Sequence, residues 1–461
     1  MRYLLNEGFR LCGWEKLPFA LADRRTGEVR FLPKELFLLL YRCDGRHELS
    51  PAALTEAEHA RLEALQREGL VRPCAAGEEA PAYRAYPARF KASAQWSVTG
   101  RCNCRCRHCL LDAPAGALPE PDTAACLEII RQLGECGVRQ VSLTGGEPLL
   151  RGDLFTLLDA LREQEICVTT IYSNGLLVSD ALLDALEERG LRPLFQLSYD
   201  GLGAHDRLRG LPGAEDAALR AFERCRAHGF PTAAAMCLYR GNADRLAGSV
   251  TLLRSLGCTA LKVSGLREQG AARRLGDEIL SQEELFTLLL DYIPRFFADG
   301  AGLDLMLDGL FAWNVREGRC FIPFERGGGA EPSACLLCAH VRRSFYISPE
   351  GRVLPCMSMA ETAAAEDFPS LLETPLREIL SRSEYFERSD LRLSDYLAHN
   401  PDCAACPDRL LCAGGCRALA LGEGGRDYLA KDLWACRYFR DGWRERMHAC
   451  LARLGLSLQE V

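Results

Sequence analysis

The sequence predicts an α/β fold: a parallel sheet, open or partly closed into a barrel, between a small α+β module and an irregular, cysteine-rich tail. Three observations carry that prediction. Strand-like and helix-like segments alternate six times between residue 92 and about residue 310. Before that stretch the pattern is a short β-pair followed by two helices. After it the alternation stops and ten of the chain's 23 cysteines follow among Gly and Pro.

The module comes first. Phe19–Ala22 and Glu28–Leu32 read as paired strands, and Pro33–Cys43 and Thr55–Glu68 as helices, the latter with Leu62 and Leu65 at helical spacing. Residues 73–87, rich in Ala, Pro and Glu, read as a linker. In the central region the expected strands are Gln95–Thr99, Gln140–Leu143, Cys167–Tyr172, Leu194–Ser198, Thr232–Leu238 and Ala260–Val263. Between them lie amphipathic helices at Ala124–Cys136, Leu154–Gln164, Ala181–Glu188 and Ala217–His228. Six βα units make a parallel sheet, and eight would be needed for a complete barrel. The tail has too little apolar periodicity to bury a good core, so metal sites are expected to stabilise it. Its only low-complexity run begins at Gly327. The expected division is a module over 1–80, a linker over 81–91, a barrel over 92–310 and a tail domain over 311–461.

Bulk properties narrow the function. At 461 residues the chain is long enough for two or three domains. It has 48% hydrophobic and 26% charged residues and no apolar run long enough to cross a bilayer. The start, MRYLLNEGFRLCGW, lacks the three regions of a signal peptide, so a cytoplasmic location is expected, with no membrane partner. A net charge of −7 offers no general attraction to phosphates, so no nucleic-acid partner is expected. In a reducing compartment so many cysteines serve as metal ligands sooner than as disulfides.

Directly after the first central strand comes Thr99-Gly-Arg-Cys102-Asn-Cys104-Arg-Cys106-Arg-His108-Cys109. Cys102, Cys106 and Cys109 give C-x3-C-x2-C: three thiolates that can hold three irons of a cubane and leave the fourth open. A zinc knot is the competing reading. This spacing at the end of the first strand resembles the signature of the radical S-adenosylmethionine (SAM) superfamily, whose barrel is a partial (βα)6 TIM barrel. The resemblance implies that SAM chelates the open iron and is cleaved to a 5′-deoxyadenosyl radical that abstracts hydrogen, which makes the three cysteines catalytic. It also places His108, where the family usually has an aromatic residue, near the adenine. The later strand ends are similar to the family's motifs too. Gly145-Gly146-Glu147-Pro148 resembles the element holding the methionine amine of SAM, and Ser173-Asn174-Gly175 the next one. Ser198-Tyr-Asp200-Gly with His205-Asp-Arg-Leu-Arg209-Gly resembles a stretch of peptide-modifying members. Gly145, Gly146, Glu147, Ser173, Asn174, Ser198, Asp200 and Arg209 are accordingly expected around SAM, Ser198 toward its ribose and Arg209 toward its carboxylate. Two glycines would let backbone approach the ligand, and Glu147 would accept from an ammonium.

The tail carries Cys338, Gly351-x4-Cys356, Cys403-x2-Cys406-x5-Cys412-x3-Cys416 and Cys436. This is similar to the seven-cysteine SPASM domain of enzymes that mature peptides and proteins. The resemblance implies two auxiliary 4Fe–4S clusters, three clusters in all. Cys403, Cys406, Cys412 and Cys436 would hold one. Cys338, Cys356 and Cys416 would serve the other, with Cys335 or Cys320 as fourth ligand or an open iron. Two four-cysteine zinc sites are the alternative. The remaining cysteines sit mostly within apolar patterns and read as small core residues.

The module is similar to a winged helix, and more closely to the peptide-recognition element typified by the peptide-carrier protein of pyrroloquinoline quinone maturation (PqqD). That resemblance implies a leader peptide added as a strand to its edge. A DNA-binding winged helix would need a basic recognition helix, and residues 48–70 hold more Glu than Arg. Together these resemblances imply a maturase of a ribosomally made peptide, forming a thioether or carbon–carbon cross-link, fed by a low-potential donor such as flavodoxin or ferredoxin. A sulfatase-maturing enzyme making formylglycine is the alternative, and a zinc-bound regulator a third class.

Overall fold

The computed structural model describes residues 1–50, 54–75, 77–112, 118–326 and 331–458. The run at Gly327 lies outside them. Strands β1 to β6 (Arg2–Leu5, Phe9–Glu15, Leu17–Asp23, Val29–Phe31, Val71–Cys74, Arg84–Arg89) build the module, with helices Lys34–Tyr41 and Glu56–Arg67. β1 pairs antiparallel with β5, and a four-stranded sheet runs in the order β4-β3-β2-β6. The segment expected as a linker is entered and left through strand: β5 closes a two-stranded pair with the N-terminus, and β6 lies parallel to β2. Pro73 and Pro87 are tolerated because β5 belongs to a two-stranded ribbon and β6 is an edge strand, where a missing N–H breaks no central ladder.

The central strands are β7 (Ser93–Ser97), β8 (Gln140–Thr144), β9 (Cys167–Ser173), β10 (Leu194–Ser198), β11 (Thr232–Leu238) and β12 (Ala260–Gly265), all parallel. Each of the six expected strands is present within two residues. The period of two is visible in burial: Trp96, Val141, Leu143, Phe195 and Leu197 are buried in the main core, while Gln95, Ser142, Gln196 and Ser198 stay half-exposed on the other face. Helices return each strand to the next. Thr123–Glu135 and Asp180–Glu188 start where Asp122 and Ser179 accept from the N–H of Ala125 and Leu182.

The sheet is wider than the six strands read from the sequence. β13 (Asp304–Leu307) continues it in parallel, and β14 (Phe311–Asn314) and β15 (Arg319–Phe321) add an antiparallel edge. At the other edge β16 (Ser344–Ile347), from the tail, lies parallel to β7, with β17 (Val353–Leu354) antiparallel beyond it. Eleven strands thus form one sheet. The tail is built into the barrel's sheet, with buried Phe345, Tyr346 and Ile347 in the same core.

The module docks where the central strands begin. Trp14 Nε1 donates to the Cys136 carbonyl at 3.0 Å, Gln140 Nε2 to Thr26 O at 2.9 Å, and Cys167 Sγ to Arg25 O at 3.1 Å. Arg10, Arg24 and Arg139 converge on the Glu165 carboxylate at 3.0, 2.7 and 3.3 Å. The opposite, C-terminal strand ends are left for the cysteine loop.

Candidate active site

The loop after β7 brings the first cysteine group over the C-terminal ends of the parallel strands, the end where such folds gather chemistry. Its backbone is stitched to the turn after β8. Gly146 N–H donates to Thr99 O at 2.9 Å and Glu147 N–H to Arg101 O at 2.8 Å. A Cβ on Gly145 would fall 2.3 Å from Thr99 O, and one on Gly146 2.1 Å from Arg101 O. The two glycines admit the cysteine loop itself, a closer reason for them than the approach of a ligand. Gly145 also has φ +143, a conformation that L side chains rarely adopt.

Two polar contacts reach the sulfurs from neighbouring strand ends. Asn174 Nδ2 donates to Asn103 Oδ1 at 2.7 Å and lies 4.0 Å from Cys102 Sγ. Arg209 Nη1 lies 3.8 Å from Cys106 Sγ, and its Nε donates to Asp200 Oδ2 at 2.7 Å. Cys104 is buried between the other two, its N–H donating to Cys102 Sγ at 3.4 Å. Hydrogen bonding from Cys104 lowers the Cys102 thiol and, with Arg209, brings Cys106 down to about 6, whereas the same bonds raise Cys104 itself. Cys102 and Cys106 are therefore disposed to be thiolates.

Glu147 is completely buried. It accepts from Ser173 Oγ at 3.0 Å, Leu149 N at 3.1 Å and Asn174 N at 2.8 Å. Burial still raises its carboxyl to about 7. Asp200 is equally buried, yet the opposite holds. Burial works to raise it, but Arg209 and His205 outweigh that and keep it well below the usual carboxylate range. His205 Nδ1 accepts from Asp200 N at 3.0 Å, and Asn242 Nδ2 donates to Asp200 O at 2.8 Å. Burial and the Arg209 charge push His108 down to about 4, a neutral ring beside Asp200 and Cys237. Ser198 stands half-exposed at the end of β10 with no side-chain partner among the described residues.

Cys102, Cys106, His108, Gly145, Gly146, Glu147, Ser173, Asn174, Asp200 and Arg209 thus form one connected network, with Cys109 on the same loop. Arg209, expected to face a SAM carboxylate, is engaged by Asp200 and a cysteine sulfur. Asn103, Cys104, Cys237 and Asn242 belong to the same network and were not singled out from the sequence. Cys104 had a spacing signal, while Asn242 had none.

In the tail, Cys403, Cys406, Cys412 and Cys436 line one pocket with about 450 Å³ of empty space, partly open to solvent. Cys338 and Cys416 sit close enough to Cys356 to reinforce the rise that burial gives its thiol, to about 12. Cys335 packs in an apolar group with Leu337, Leu393, Tyr396 and Cys403. Cys320 is buried in β15, its thiol 3.6 Å from Ser457 O.

The donor sets are made of cysteine thiols, the ligands that iron–sulfur clusters take. A tetrahedral zinc at about 2.3 Å draws its thiolates to about 3.8 Å from one another. Among the described residues, ligand atoms of three or more such side chains gather within 4.8 Å only at His108–Asp200–Cys237 and Asp184–Glu187–His228, never from cysteines alone. The cysteine sets are spread wider than one zinc would hold them.

Comparison with known proteins agrees with this geometry. Residues 96–251 match the radical SAM superfamily, and residues 338–407 the SPASM iron–sulfur cluster-binding domain. The chain belongs to the radical SAM superfamily and is a radical SAM enzyme. Within it, the chain is similar to PqqA peptide cyclases. It is 30% identical to that of Xanthomonas oryzae pv. oryzae (strain MAFF 311018) over 339 residues, 71% of this chain and 83% of that protein. It is 27% identical to that of Granulibacter bethesdensis over 330 residues, 70% and 81% of the two chains. Among solved structures, Streptococcus suis SuiB bound to the precursor peptide SuiA has a TM-score of 0.66 at 17% identity, covering 94% of this chain and 99% of that one. Native anSMEcpe with AdoMet and the Kp18Cys peptide has a TM-score of 0.56 at 16% identity, covering 78% and 98%. These structures share its fold.

Proposed function

We propose that this enzyme matures a ribosomally made precursor peptide, closing a thioether or carbon–carbon cross-link within it. The observation that carries this reading is the pairing, in one chain, of the cysteine-loop network with a module that ends in an open sheet edge. β4 is an edge strand, with exposed Phe31 on the face it shares with Ala20 and Phe90, while Leu38 and Tyr41 are exposed on the helix that covers the other face. Such an edge takes a leader segment as one more strand, its alternate side chains facing Phe31 on one side of the sheet and the helix on the other. The names of the relatives support it: one group is named for cyclising a peptide, and SuiB was solved with its precursor. The relatives named peptide cyclases are similar over 71% of this chain, which favours the peptide maturase over a formylglycine-forming enzyme.

In this reading Cys102, Cys106 and Cys109 hold the cluster that binds SAM. Cys403, Cys406, Cys412 and Cys436 hold one auxiliary cluster, and Cys338, Cys356 and Cys416, with Cys335 as the favoured fourth ligand, hold the other. SAM bound to its cluster supplies one-electron, hydrogen-abstracting chemistry. The chain's own residues prepare the place. Glu147 uses three of its four lone-pair directions on Ser173, Leu149 and Asn174, leaving one for an ammonium N–H. Arg209 balances negative charge at Cys106 while Asp200 fixes its guanidinium. His108, neutral, presents a flat ring for the adenine, and Ser198 a free hydroxyl for the ribose. Twenty-three cysteines outside any disulfide suit a reducing cytoplasm and a soluble low-potential donor.

The test is turnover by anaerobically reconstituted enzyme with SAM, dithionite and candidate precursor peptides, a PqqA-type peptide first among them. Loss of two hydrogens from the peptide, mapped by tandem mass spectrometry, is expected. The same assay after deletion of residues 1–80 should retain uncoupled SAM cleavage and lose peptide modification. Modification that survives the deletion refutes the role of the module.

A further inference from the structure

We propose that the face around the Cys403–Cys406–Cys412–Cys436 pocket docks an acidic one-electron carrier protein of the flavodoxin or ferredoxin kind. The proposal rests on reading that pocket as a cluster site, and it concerns the residues that surround it.

Helix Leu433–Arg440 carries Cys436 and forms one wall of the pocket. Leu433, Arg437 and Arg440 fall at i, i+4 and i+7, one stripe of that helix, and all three are exposed, Leu433 at 42%. Across the pocket Arg409 is exposed as well, its side chain reaching only the Cys406 carbonyl, at 3.2 Å. Among the described residues none of Arg409, Arg437 and Arg440 meets a carboxylate. Most of the acids at this rim are occupied. Asp402 pairs with Lys431, Asp408 lies 3.9 Å from Arg444, and Asp432 is consumed by the N–H groups of Cys416, Trp434 and Ala435. Asp441, next to Arg440 in the chain, is exposed with no ion pair among the described residues.

This arrangement is unusual for the chain. Its net charge is −7, so an acidic partner is repelled by the molecule as a whole and attracted only where unpaired cations gather. An exposed leucine in line with two exposed arginines joins apolar and cationic surface, the two kinds that small interfaces combine. Weak, rapidly exchanging redox encounters use patches of this size. The patch surrounds a four-cysteine pocket that is partly open to solvent, which brings a docked carrier close to the thiolate set.

The experiment is a titration of full-chain, anaerobically reconstituted enzyme with oxidised bacterial flavodoxin, at low and at high salt. Binding should be measurable at low salt and weaken steeply as salt is added. The R437E/R440E variant should bind at least about tenfold more weakly at low salt and converge with the parent at high salt. R220E/R316E, which makes the same charge change at two exposed arginines elsewhere, should bind like the parent. Iron content and dithionite-driven SAM cleavage, measured alongside, report the cluster sites and separate their failure from that of docking. Should R437E/R440E lose iron, R440Q with L433S carries the same comparison. Equal binding by the parent and the patch variants, or no salt-sensitive binding by the parent, overturns the proposal.

Discussion

Substituting Gly146 by Ala asks whether the Gly145-Gly146 pair exists to admit the cysteine loop. The new Cβ would lie 2.1 Å from Arg101 O, 2.5 Å from Arg101 C and 3.0 Å from Cys102 Cβ. Ordinary contact begins at 3.4 Å, so the Arg101 carbonyl must retreat by about 1.3 Å. It is backbone, held by the Glu147 N–H at 2.8 Å, and Cys102 is the next residue. A displacement near 1 Å in a positioned site costs about 10²-fold in rate, and overpacking about 1–3 kcal/mol in stability. If the chain holds the three cubanes proposed for it, about twelve irons, the variant should lose about four and keep about eight. SAM cleavage should fall about 100-fold or more. Iron and sulfide analysis with single-turnover formation of 5′-deoxyadenosine reads both. Gly152→Ala is the control, since a Cβ there meets nothing within 4 Å. A Gly146→Ala enzyme with full iron and parental cleavage would refute this role for the glycines.

Other outcomes follow from the same network. Glu147, raised to about 7 by burial, is protonated below that pH. SAM affinity measured by equilibrium dialysis should therefore fall as pH drops from about 8 to about 6, and Glu147→Gln should be weak throughout and lose the dependence. Arg209→Leu removes the guanidinium that pairs with the fully buried Asp200 carboxylate, leaving it His205, the neutral His108 and the Cys237 N–H, so urea unfolding should show a loss of about 3–5 kcal/mol. Asp200 is held below its ordinary pKa, so its stabilising contribution is present above that value and lost only in strong acid. The Arg209→Leu deficit should accordingly persist across neutral pH. Glu165→Ala removes the carboxylate that pairs with Arg10, Arg24 and Arg139, of which Arg139 is buried. Limited proteolysis should then release the module while iron content stays at the parental level; unchanged protease resistance would show that the arginine cluster does not secure it.

The six central strands were legible because each pairs a period-two apolar set with a helix of period 3.6 behind it, as in Gln140–Thr144 followed by Leu154–Glu163. Cys102, Glu147 and Asp200 were legible because they fall in short motifs directly after those strands. β16 was not, although Ser-Phe-Tyr-Ile is a good strand, because its partner β7 lies some 250 residues earlier and no local signal indicates a long-range parallel pairing. β5 and β6 were hidden by Pro73 and Pro87, which an edge or ribbon strand accepts and a central one would not. Arg209 shows a different limit. Its motif placed it in the site, but its choice of Asp200 and Cys106 over a ligand depends on the helix His205–Arg209, which turns it back toward the strand end.

The module and the cysteine loop occupy opposite ends of the same strands, and the substrate inherits that separation. β8 leaves the module at Gln140 and meets the loop at Gly146, six residues on, a rise of about 20 Å. An extended peptide covers at most about 3.3–3.6 Å per residue. A precursor gripped at β4 and reacting above the strands must therefore place at least about six residues between grip and reaction, and more if it runs around the barrel. With a leader held at the module as proposed, the enzyme would act as a ruler: among chains carrying the same leader, it would discriminate by counting residues before it reads them.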